Sequence, residues 1–334
     1  MSERIAPHIR TDARAWQMTL DVLIAGLVLC IFSAVNYGPR PLLLVLFSML
    51  SAIAAEAVCT LLRRRSLRVL LDGSAAVTGM LVGLAMSPMT DHWVPMLGSA
   101  FAIVVAKAPF GGYGRNVFDP AAAGIAVVSF CFPPRVFTYP VPSALTRLPL
   151  MAGSTAGQVA ESSLAAQLRA GATPNVTRMQ LLLGDLAGPI GGTATLILLA
   201  CALYLMIRRT ASPWLILPYI GTFALLAWLF PCAGVDRNFG VLAQLCSGYV
   251  LFTGVFLLCD PVTAPRYRIA RAVYAVMTAA LVLLLQRIGR LEAGSCFAIM
   301  IMNTLSPIVD RWCWHIKEFF VSRRRARQEV RYHG

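Results

Sequence analysis

Long apolar runs separated by short polar segments fill this chain from about residue 17 to residue 312. A helix needs about 20 mainly apolar residues to cross a hydrocarbon layer of roughly 30 Å. Because most of the runs approach that length, the pattern predicts about ten spanning helices. They are expected near 17–36, 41–62, 69–88, 93–110, 119–133, 188–207, 212–230, 242–259, 269–286 and 293–312. The predicted fold class is an all-α integral membrane protein.

One long polar insertion divides the helices into two groups of five. The expected order is an N-terminal segment, a first transmembrane half, an external loop, a second half and a basic tail: 1–16, 17–133, 134–187, 188–312 and 313–334. The insertion is rich in Pro, Ser, Thr and Gly. A structureless loop of this length is usually functional or disordered, and we favour a functional role.

Composition and charge exclude the soluble alternatives. Hydrophobic residues make up 58% of the chain and charged residues 13%, whereas soluble domains carry about 25% charged residues. The net charge of +14 comes from short basic clusters between apolar runs, such as those at 63–65 and 208–209, and from the tail. This arrangement fits the positive-inside rule rather than nucleic-acid binding, and it predicts cytoplasmic termini and an external insertion.

A weak internal sequence repeat relates the two halves. The ends of the predicted third and eighth helices share a Thr-Gly pair followed by Pro and Thr: Thr78, Gly79, Pro88 and Thr90, then Thr253, Gly254, Pro261 and Thr263. Five helices separate the pairs, so the two ends face opposite sides, as in inverted repeats that frame a midplane site. Two unrelated proline-terminated helices would leave the same pattern, and both interpretations stay open.

Few residues within the apolar runs could carry chemistry. Glu56 lies inside the second predicted helix, where a charge costs at least about 2.5 kcal/mol and needs a partner or a proton. Asp260 lies near a helix end beside Arg266, and pairing with that arginine is the simpler interpretation. The nine cysteines show no metal-ligand spacing, and the four histidines lie in loops or tails, so no metal site is predicted.

A glycine-rich turn from Lys107 to Pro120 links the fourth and fifth predicted helices. Gly112 and Gly114 let backbone amides approach a flat or anionic ligand, and Asn116 and Asp119 can hydrogen-bond the edge of a heterocycle. The same residue types also suit an ordinary turn before an Asp-Pro helix start. Lys107 is assigned to positive-inside topology rather than to ligand binding.

Several ordered segments together resemble one family. They are Asp72-Gly-Ser-Ala-Ala-Val-Thr-Gly79, Phe101-Ala-Ile-Val-Val-Ala-Lys107, Gly111-Gly-Tyr-Gly-Arg-Asn116, Ala170-Gly-Ala-Thr-Pro174, Asp260-Pro-Val-Thr-Ala-Pro265 and Phe297-Ala-Ile-Met-Ile-Met-Asn303. Nearly end to end, the chain resembles RnfD, a membrane component of the Rnf ion-translocating ferredoxin:NAD oxidoreductase complex. RnfD is related to NqrB of the Na+-translocating NADH:quinone reductase, whose longer N-terminal extension is missing from this chain.

The resemblance implies a redox subunit with two flavins. One is FMN, joined by a phosphoester to a threonine in a Ser-Gly-Ala-Thr motif, and Thr173 occupies that position. The other is a noncovalent riboflavin within the membrane domain, for which Gly112, Gly114, Asn116 and Asp119 are the candidate residues on the cytoplasmic side. The implied setting is a bacterial inner membrane, where the complex moves Na+ or H+. The implied partners are membrane lipid and the other Rnf subunits, including RnfG with its own covalent FMN.

The chain departs from the family pattern at three positions. Ala170 replaces the usual serine, Asp119 the usual asparagine, and Gly192 the usual glutamate of a Gly-x-x-Gly-Glu segment. Two other functions stay open: a solute or ion transporter without a redox cofactor, built on the inverted repeat, and a membrane scaffold whose flavin site has decayed. The Ala-Gly-Ala-Thr segment favours the redox subunit, because a transporter needs no modified hydroxyl on an external loop.

Overall fold

The structure is a computed structural model that describes most of the chain. The described residues are 12–112, 114–140, 148, 150, 160–171, 176–232, 234–247, 249–288 and 292–333, and side chains are described for those within 16–66 and 70–315, apart from 160 and 161.

The first half consists of apolar helices joined by short turns. They are α1 (Asp12–Tyr37), α2 (Arg40–Leu62), α3 (Ser74–Leu84), α4 (Trp93–Phe101) and α5 (Pro120–Cys131). A 3-10 turn, Leu67–Asp72, precedes α3, and a π-helical turn, Ala102–Lys107, extends α4. The helix α5 begins at an Asp-Pro pair, in which Pro120 has the φ angle of a first helical residue and Asp119 caps the helix.

The insertion contains short elements rather than one continuous loop. They are α6 (Pro133–Val136), β1 (Tyr139–Pro140), β2 (Ala160–Glu161), α7 (Leu164–Arg169) and α8 (Arg178–Leu183). The two strands pair antiparallel, with Tyr139 opposite Glu161. This two-stranded ladder is a small correction to the all-α prediction. It forms where the chain leaves the apolar helices and free backbone groups need partners.

The second half repeats the pattern of apolar helices and breaks. Its helices are α9 (Thr195–Ile207), α10 (Pro213–Leu229), α11 (Arg237–Cys246), α12 (Tyr249–Phe252), α13 (Arg268–Arg287) and α14 (Gly294–His333). A π-helical turn, Thr253–Leu257, extends α12. The helix α14 continues through the predicted tail, which begins at residue 313. No Gly or Pro follows Pro307 within this helix, so nothing in the local sequence stops it.

In the described part of the chain, three helices are long and apolar enough to cross a membrane: Trp16–Tyr37 within α1, and all of α2 and α13. The pair α11 and α12, bent by 57°, qualifies as a fourth span if counted as one. The helices α3, α5, α9 and α10, and α4 with its π turn, are shorter and apolar. The structure therefore confirms a helical membrane protein, and the count of ten spans and the inverted halves stay predictions.

The helix α3 is a half-helix that ends inside the protein, well before the predicted boundary at 88. Backbone groups in hydrocarbon must be satisfied internally, so the carbonyls at this end need partners. Residues of the second half donate to three of them: the Gly191 N–H to Leu84 (2.7 Å), the Tyr249 hydroxyl to Ala85 (2.6 Å) and the Ile190 N–H to Met86 (2.9 Å). The end of α3 is thus joined to the other half of the chain.

Arg40 donates hydrogen bonds to backbone carbonyls of the turn that follows α3. Its side chain is fully buried, although it begins α2 at what the hydropathy pattern treats as a loop. The guanidinium donates from Nε to the Pro88 carbonyl (2.9 Å) and from one terminal nitrogen to the Thr90 carbonyl (3.1 Å). The planar guanidinium offers five donors in fixed directions, which suits a cluster of carbonyls.

The helices α2 and α3 pack with their backbones nearly in contact. A Cβ on Gly79 would lie 2.6 Å from the Met49 Cα, which no real side chain could occupy without a shift. The Ser48 hydroxyl bonds to the Gly79 carbonyl at 2.6 Å across the same contact. Small residues that allow close backbone approach are the usual basis of helix association in membranes, so this pair fixes the position of the half-helix.

We expect Arg40→Met to destabilise the protein by several kcal/mol. The change keeps the apolar stem but leaves several buried carbonyls unsatisfied, at a cost of about 1–3 kcal/mol each. Thermal unfolding in detergent measures the loss. The control is Arg237→Met, which removes an exposed arginine that stacks on the Trp228 ring at 5.1 Å. Equal unfolding temperatures for the two variants would show that Arg40 does not hold the turn.

Candidate functional site

A cavity between the two halves, here called the interhelical cavity, is the main candidate site. It is enclosed by α1, α3, the turn before α5, the end of α9 and the turn after α12. The empty space, with its open mouth included, is about 800 Å³. Most of its walls are apolar, and its polar residues include Ser74, Thr78, Lys107, Asn116, Asp119 and Asp260.

Asp119 enters this cavity from the start of α5. Its Oδ1 accepts the Ala121 N–H at 3.0 Å, which caps the helix. Its Oδ2 has no hydrogen-bond partner in the described part of the chain, although the residue is only 5% exposed. Buried polar atoms nearly always have partners, so this oxygen is suited to accept a hydrogen bond from a ligand.

Asp260 faces Asp119 from the other half of the chain. Its carboxylate accepts from the Thr263 hydroxyl at 3.1 Å and interacts with Asp119 and with the Asn116 amide. The expected partner Arg266 instead donates its backbone N–H to Asp310 at 3.0 Å. The convergence of two Asp-Pro pairs on one cavity was missed in the sequence analysis, although the repeated dipeptide was a visible signal.

The structure brings together two of the four candidate riboflavin residues. Asn116 donates to the Phe118 carbonyl at 3.0 Å and lies between the interhelical cavity and a larger, more open one, the side cavity, which Tyr267 and Trp314 also line. Gly112 and Gly114 do not line the interhelical cavity, to which Asn116 and Asp119 belong. They have φ angles of +98° and +85°, and Gly112 borders a recess beside Glu56. Both glycines supply the left-handed backbone that the turn needs.

The intramembrane acid has a buried partner that charge counting did not predict. Lys107, assigned from the sequence to positive-inside topology, is 2% exposed and forms an ion pair with Glu56. Its ammonium group also donates to the Ser74 hydroxyl at 2.6 Å. That assignment of Lys107 was wrong, because a lysine on the π-helical turn faces inward, where only an acid offsets its lost hydration.

A second polar cluster lies at the other end of α13. The Glu292 carboxylate accepts from Ser163 (2.7 Å), from the Arg169 guanidinium (3.2 Å) and from the Tyr139 hydroxyl (3.4 Å). Burial raises the pKa of the Glu292 carboxyl. Three parts of the insertion are thereby joined to the start of α14. Sequence reasoning missed Glu292, yet it is the only acid between Asp260 and Asp310.

The predicted attachment residue Thr173 lies outside the described residues. The chain is described up to Gly171, shortly after the last residue of α7, Arg169. The Glu292 cluster therefore anchors the segment that leads to Thr173. The side cavity, which shares Asn116 with the interhelical cavity, and the Glu292 cluster lie near opposite ends of α13, whose 20 residues span about 30 Å.

Apolar helices that break inside the protein and enclose a cavity with a few polar groups are typical of membrane proteins that move ions or solutes across a bilayer. The chain belongs to the NQR2, RnfD, RnfE family, whose model matches residues 3–317. The resemblance seen in the sequence motifs is thus confirmed.

Individual relatives cover nearly the whole chain. It is 30% identical to the D subunit of the ion-translocating oxidoreductase complex of Stutzerimonas stutzeri, over 89% of this chain and 90% of that protein. It is 26% identical to the D subunit of the proton-translocating ferredoxin:NAD(+) oxidoreductase complex of Clostridium ljungdahlii, over 93% and 94%. It is 31% identical to the corresponding protein from Cronobacter sakazakii, over 82% and 86%. These relatives are named as subunits of multi-subunit oxidoreductase complexes.

We expect Glu56→Gln and Lys107→Met each to destabilise the protein by about 3–5 kcal/mol, because each leaves one buried charge without its partner. The double variant should lose less than the sum of the two, since it leaves neither charge behind. Thermal unfolding of wild type, the two single variants and the double variant in the same detergent measures the coupling free energy between Glu56 and Lys107. Additive losses would show that the pair is not coupled.

Proposed function

We propose that this chain is the flavin-carrying membrane subunit of an ion-translocating ferredoxin:NAD oxidoreductase. In this proposal electrons pass between FMN on Thr173 and a riboflavin in the interhelical cavity, coupled to Na+ or H+ movement. Family membership and the names of the relatives support it. The observation that carries the flavin assignment is the buried, unpartnered Oδ2 of Asp119 in a cavity with apolar walls.

The residues of the interhelical cavity fit a flavin ring. An isoalloxazine has flat apolar faces and a polar edge with one N–H donor between two carbonyl acceptors. The walls include Val77, Leu81 and Phe256, which suit the faces. At the edge, the Asp119 carboxylate can accept from the ring N–H. One N–H of the Asn116 amide can donate to a ring carbonyl in place of its contact with Asp260, while the other stays on the Phe118 carbonyl. Asp in place of the usual Asn keeps the acceptor that the ring N–H needs.

When bound, a flavin supplies electron transfer in steps of one or two electrons. The chain's own contribution would be binding, orientation and exclusion of water. Asn116, in the turn before α5, and Asp119, at its N-cap, would hold the polar edge of the ring, and the Asp-Pro cap fixes the position of Asp119. Asp260 approaches from the other half, so the ligand would be held between the two halves.

The proposed setting is a bacterial inner membrane with both termini cytoplasmic. The riboflavin would then lie toward the cytoplasm and the insertion, with Thr173, outside. The separation of the two polar clusters along α13 agrees with a path for electrons across the membrane. The proposed partners are the remaining subunits of the complex, among them RnfG with its own covalent flavin, and the surrounding lipid.

A transporter without a redox cofactor is the alternative function. The broken helices and the open side cavity suit a transporter as well as a redox subunit. Family membership favours the redox subunit. A colourless purified chain, with no flavin released by denaturation, would favour the transporter.

We expect Asn116→Leu to weaken noncovalent flavin binding by about tenfold or more, since one lost hydrogen bond to a buried ligand costs about 1–3 kcal/mol. Flavin released from the purified complex by acid and quantified by chromatography measures the loss. The matched control is Asn303→Leu, a buried asparagine that lines only the side cavity. Unchanged flavin content in Asn116→Leu, or an equal loss in both variants, argues against this placement.

We expect Thr173 to carry FMN through a phosphoester bond. Gly171 and its flanking alanines give a transferase access to the hydroxyl, and Pro174 favours an extended backbone at Thr173. After coexpression with the flavin transferase, a denaturing gel under ultraviolet light should show a fluorescent wild-type band and a dark Thr173→Ala band. The control is Thr155→Ala, which removes another insertion threonine and should stay fluorescent. A dark wild-type band would reject covalent flavin.

A further inference from the structure

A small cavity beside the Glu292 cluster has features of an anion site. We call it the Arg287 cavity, and it lies between α7, α11 and α13. Its polar lining comprises Arg169, Cys232, Gln244, Ser247, Arg287 and Glu292, together with Gln286. Neither the riboflavin proposal nor the ion pair of Glu56 uses these residues.

Two buried donors at this cavity have no acceptor among the residues that the structure describes. Gln244 is 8% exposed, and its Oε1 accepts from a terminal nitrogen of Arg287 at 3.1 Å. That bond directs the amide, yet Gln244 Nε2 has no acceptor within the described part of the chain. Arg287 donates elsewhere to the Phe230 carbonyl, and its Nε is likewise buried and without an acceptor among the described residues. An unsatisfied buried donor costs about 1–3 kcal/mol, so a bound acceptor would be stabilising.

The net charge of the cavity indicates that the bound acceptor is an anion. Among its described ionisable residues there are two arginines, Arg169 and Arg287, and one acid, Glu292. Glu292 pairs with Arg169 at 3.2 Å, which leaves the positive charge of Arg287 without an acid. A ligand with one negative charge would balance it. A phosphate oxygen is the acceptor for which a guanidinium is best suited.

The position of the cavity indicates where such a phosphate would come from. Arg169 lies on its wall, and the chain runs from there through Gly171 toward Thr173. The Gly171 carbonyl oxygen lies 3.2 Å from the position of a Cβ on Gly234, so this segment rests against the loop before α11. Thr173 is two residues further on, a reach of at most about 7 Å.

We propose that the Arg287 cavity binds the phosphate that links a flavin to Thr173, with Arg287 Nε and Gln244 Nε2 donating to its two free oxygens. This inference rests on the proposed covalent flavin. A phosphodiester between threonine and a flavin carries one negative charge and two unesterified oxygens. It therefore matches the single spare charge and the two spare donors. The consequence is that the flavin is held against the protein rather than tethered loosely.

The test compares flavin mobility in variants of the full-length chain, coexpressed with the transferase and purified in detergent. Gln244→Glu is the sharpest variant, because its carboxylate still accepts from Arg287 while the spare donor is lost and the spare charge is neutralised. Arg287→Gln removes the guanidinium itself. The matched control is Arg237→Gln, which removes an exposed arginine on α11 that does not line the cavity.

The readouts are flavin fluorescence anisotropy and iodide quenching, after subtraction of the Thr173→Ala signal. For both cavity variants we expect an undiminished fluorescent band on denaturing gels, lower anisotropy and several-fold stronger quenching. The control should match wild type. Gln244→Glu retains the bond to Arg287, so it keeps the test valid if Arg287→Gln does not fold.

The other outcomes separate the inference from the function on which it rests. A dark wild-type band rejects the covalent flavin and with it the proposed function. A fluorescent band with wild-type anisotropy and quenching in Gln244→Glu rejects only the phosphate site. Loss of the band in folded Gln244→Glu also rejects the site and assigns this residue to recognition by the transferase. If Thr173→Ala copurifies with phospholipid that Arg287→Gln removes, while flavin mobility is unchanged, the cavity binds a lipid headgroup instead.

Discussion

The arrangement of this protein depends on one requirement: a helix that ends inside a membrane must find partners for its last carbonyls. The half-helix α3 meets this requirement with donors from elsewhere. Arg40 holds the carbonyls of Pro88 and Thr90, and the second half supplies the N–H of Gly191 and the hydroxyl of Tyr249. These bonds fix the two halves relative to each other, and the interhelical cavity lies between them.

The two cavities differ in the kind of buried atom that lacks a hydrogen-bond partner among the described residues. In the interhelical cavity the unpartnered atom is an acceptor, Asp119 Oδ2, whereas in the Arg287 cavity the unpartnered atoms are donors on Gln244 and Arg287, all counted within the described residues. A flavin ring presents an N–H at its polar edge, while a flavin phosphate presents only acceptors. The proposed riboflavin has no phosphate and the proposed FMN has one, so each cavity fits the flavin assigned to its end of the protein.

Hydropathy was sufficient to locate the apolar segments, because each of the ten predicted runs overlaps a helix or a pair of helices, although the number of spans stays a prediction. It could not show where a helix stops for tertiary reasons. The end of α3 is set by Gly191, which is far away in the sequence. The positive-inside rule misassigned Lys107 for a similar reason. A lysine indicates membrane topology only if no acid pairs with it in the fold, and Lys107 pairs with Glu56. Asn116 and Asp119 were chosen as candidates from the turn and the resemblance, whereas the approach of Asp260 depends on how the halves pack.

The bonds at the end of α3 also bear on how the chain is made. A polypeptide enters the membrane from its N-terminus as it is synthesised, so α3 emerges long before Gly191 and Tyr249. Until those residues arrive, the carbonyls of Leu84 and Ala85 have no protein donors from the second half. Before then they need water, lipid headgroups or the insertion machinery. The first five helices alone therefore lack two native donors for the end of α3, and these bonds form only after Gly191 and Tyr249 have been synthesised.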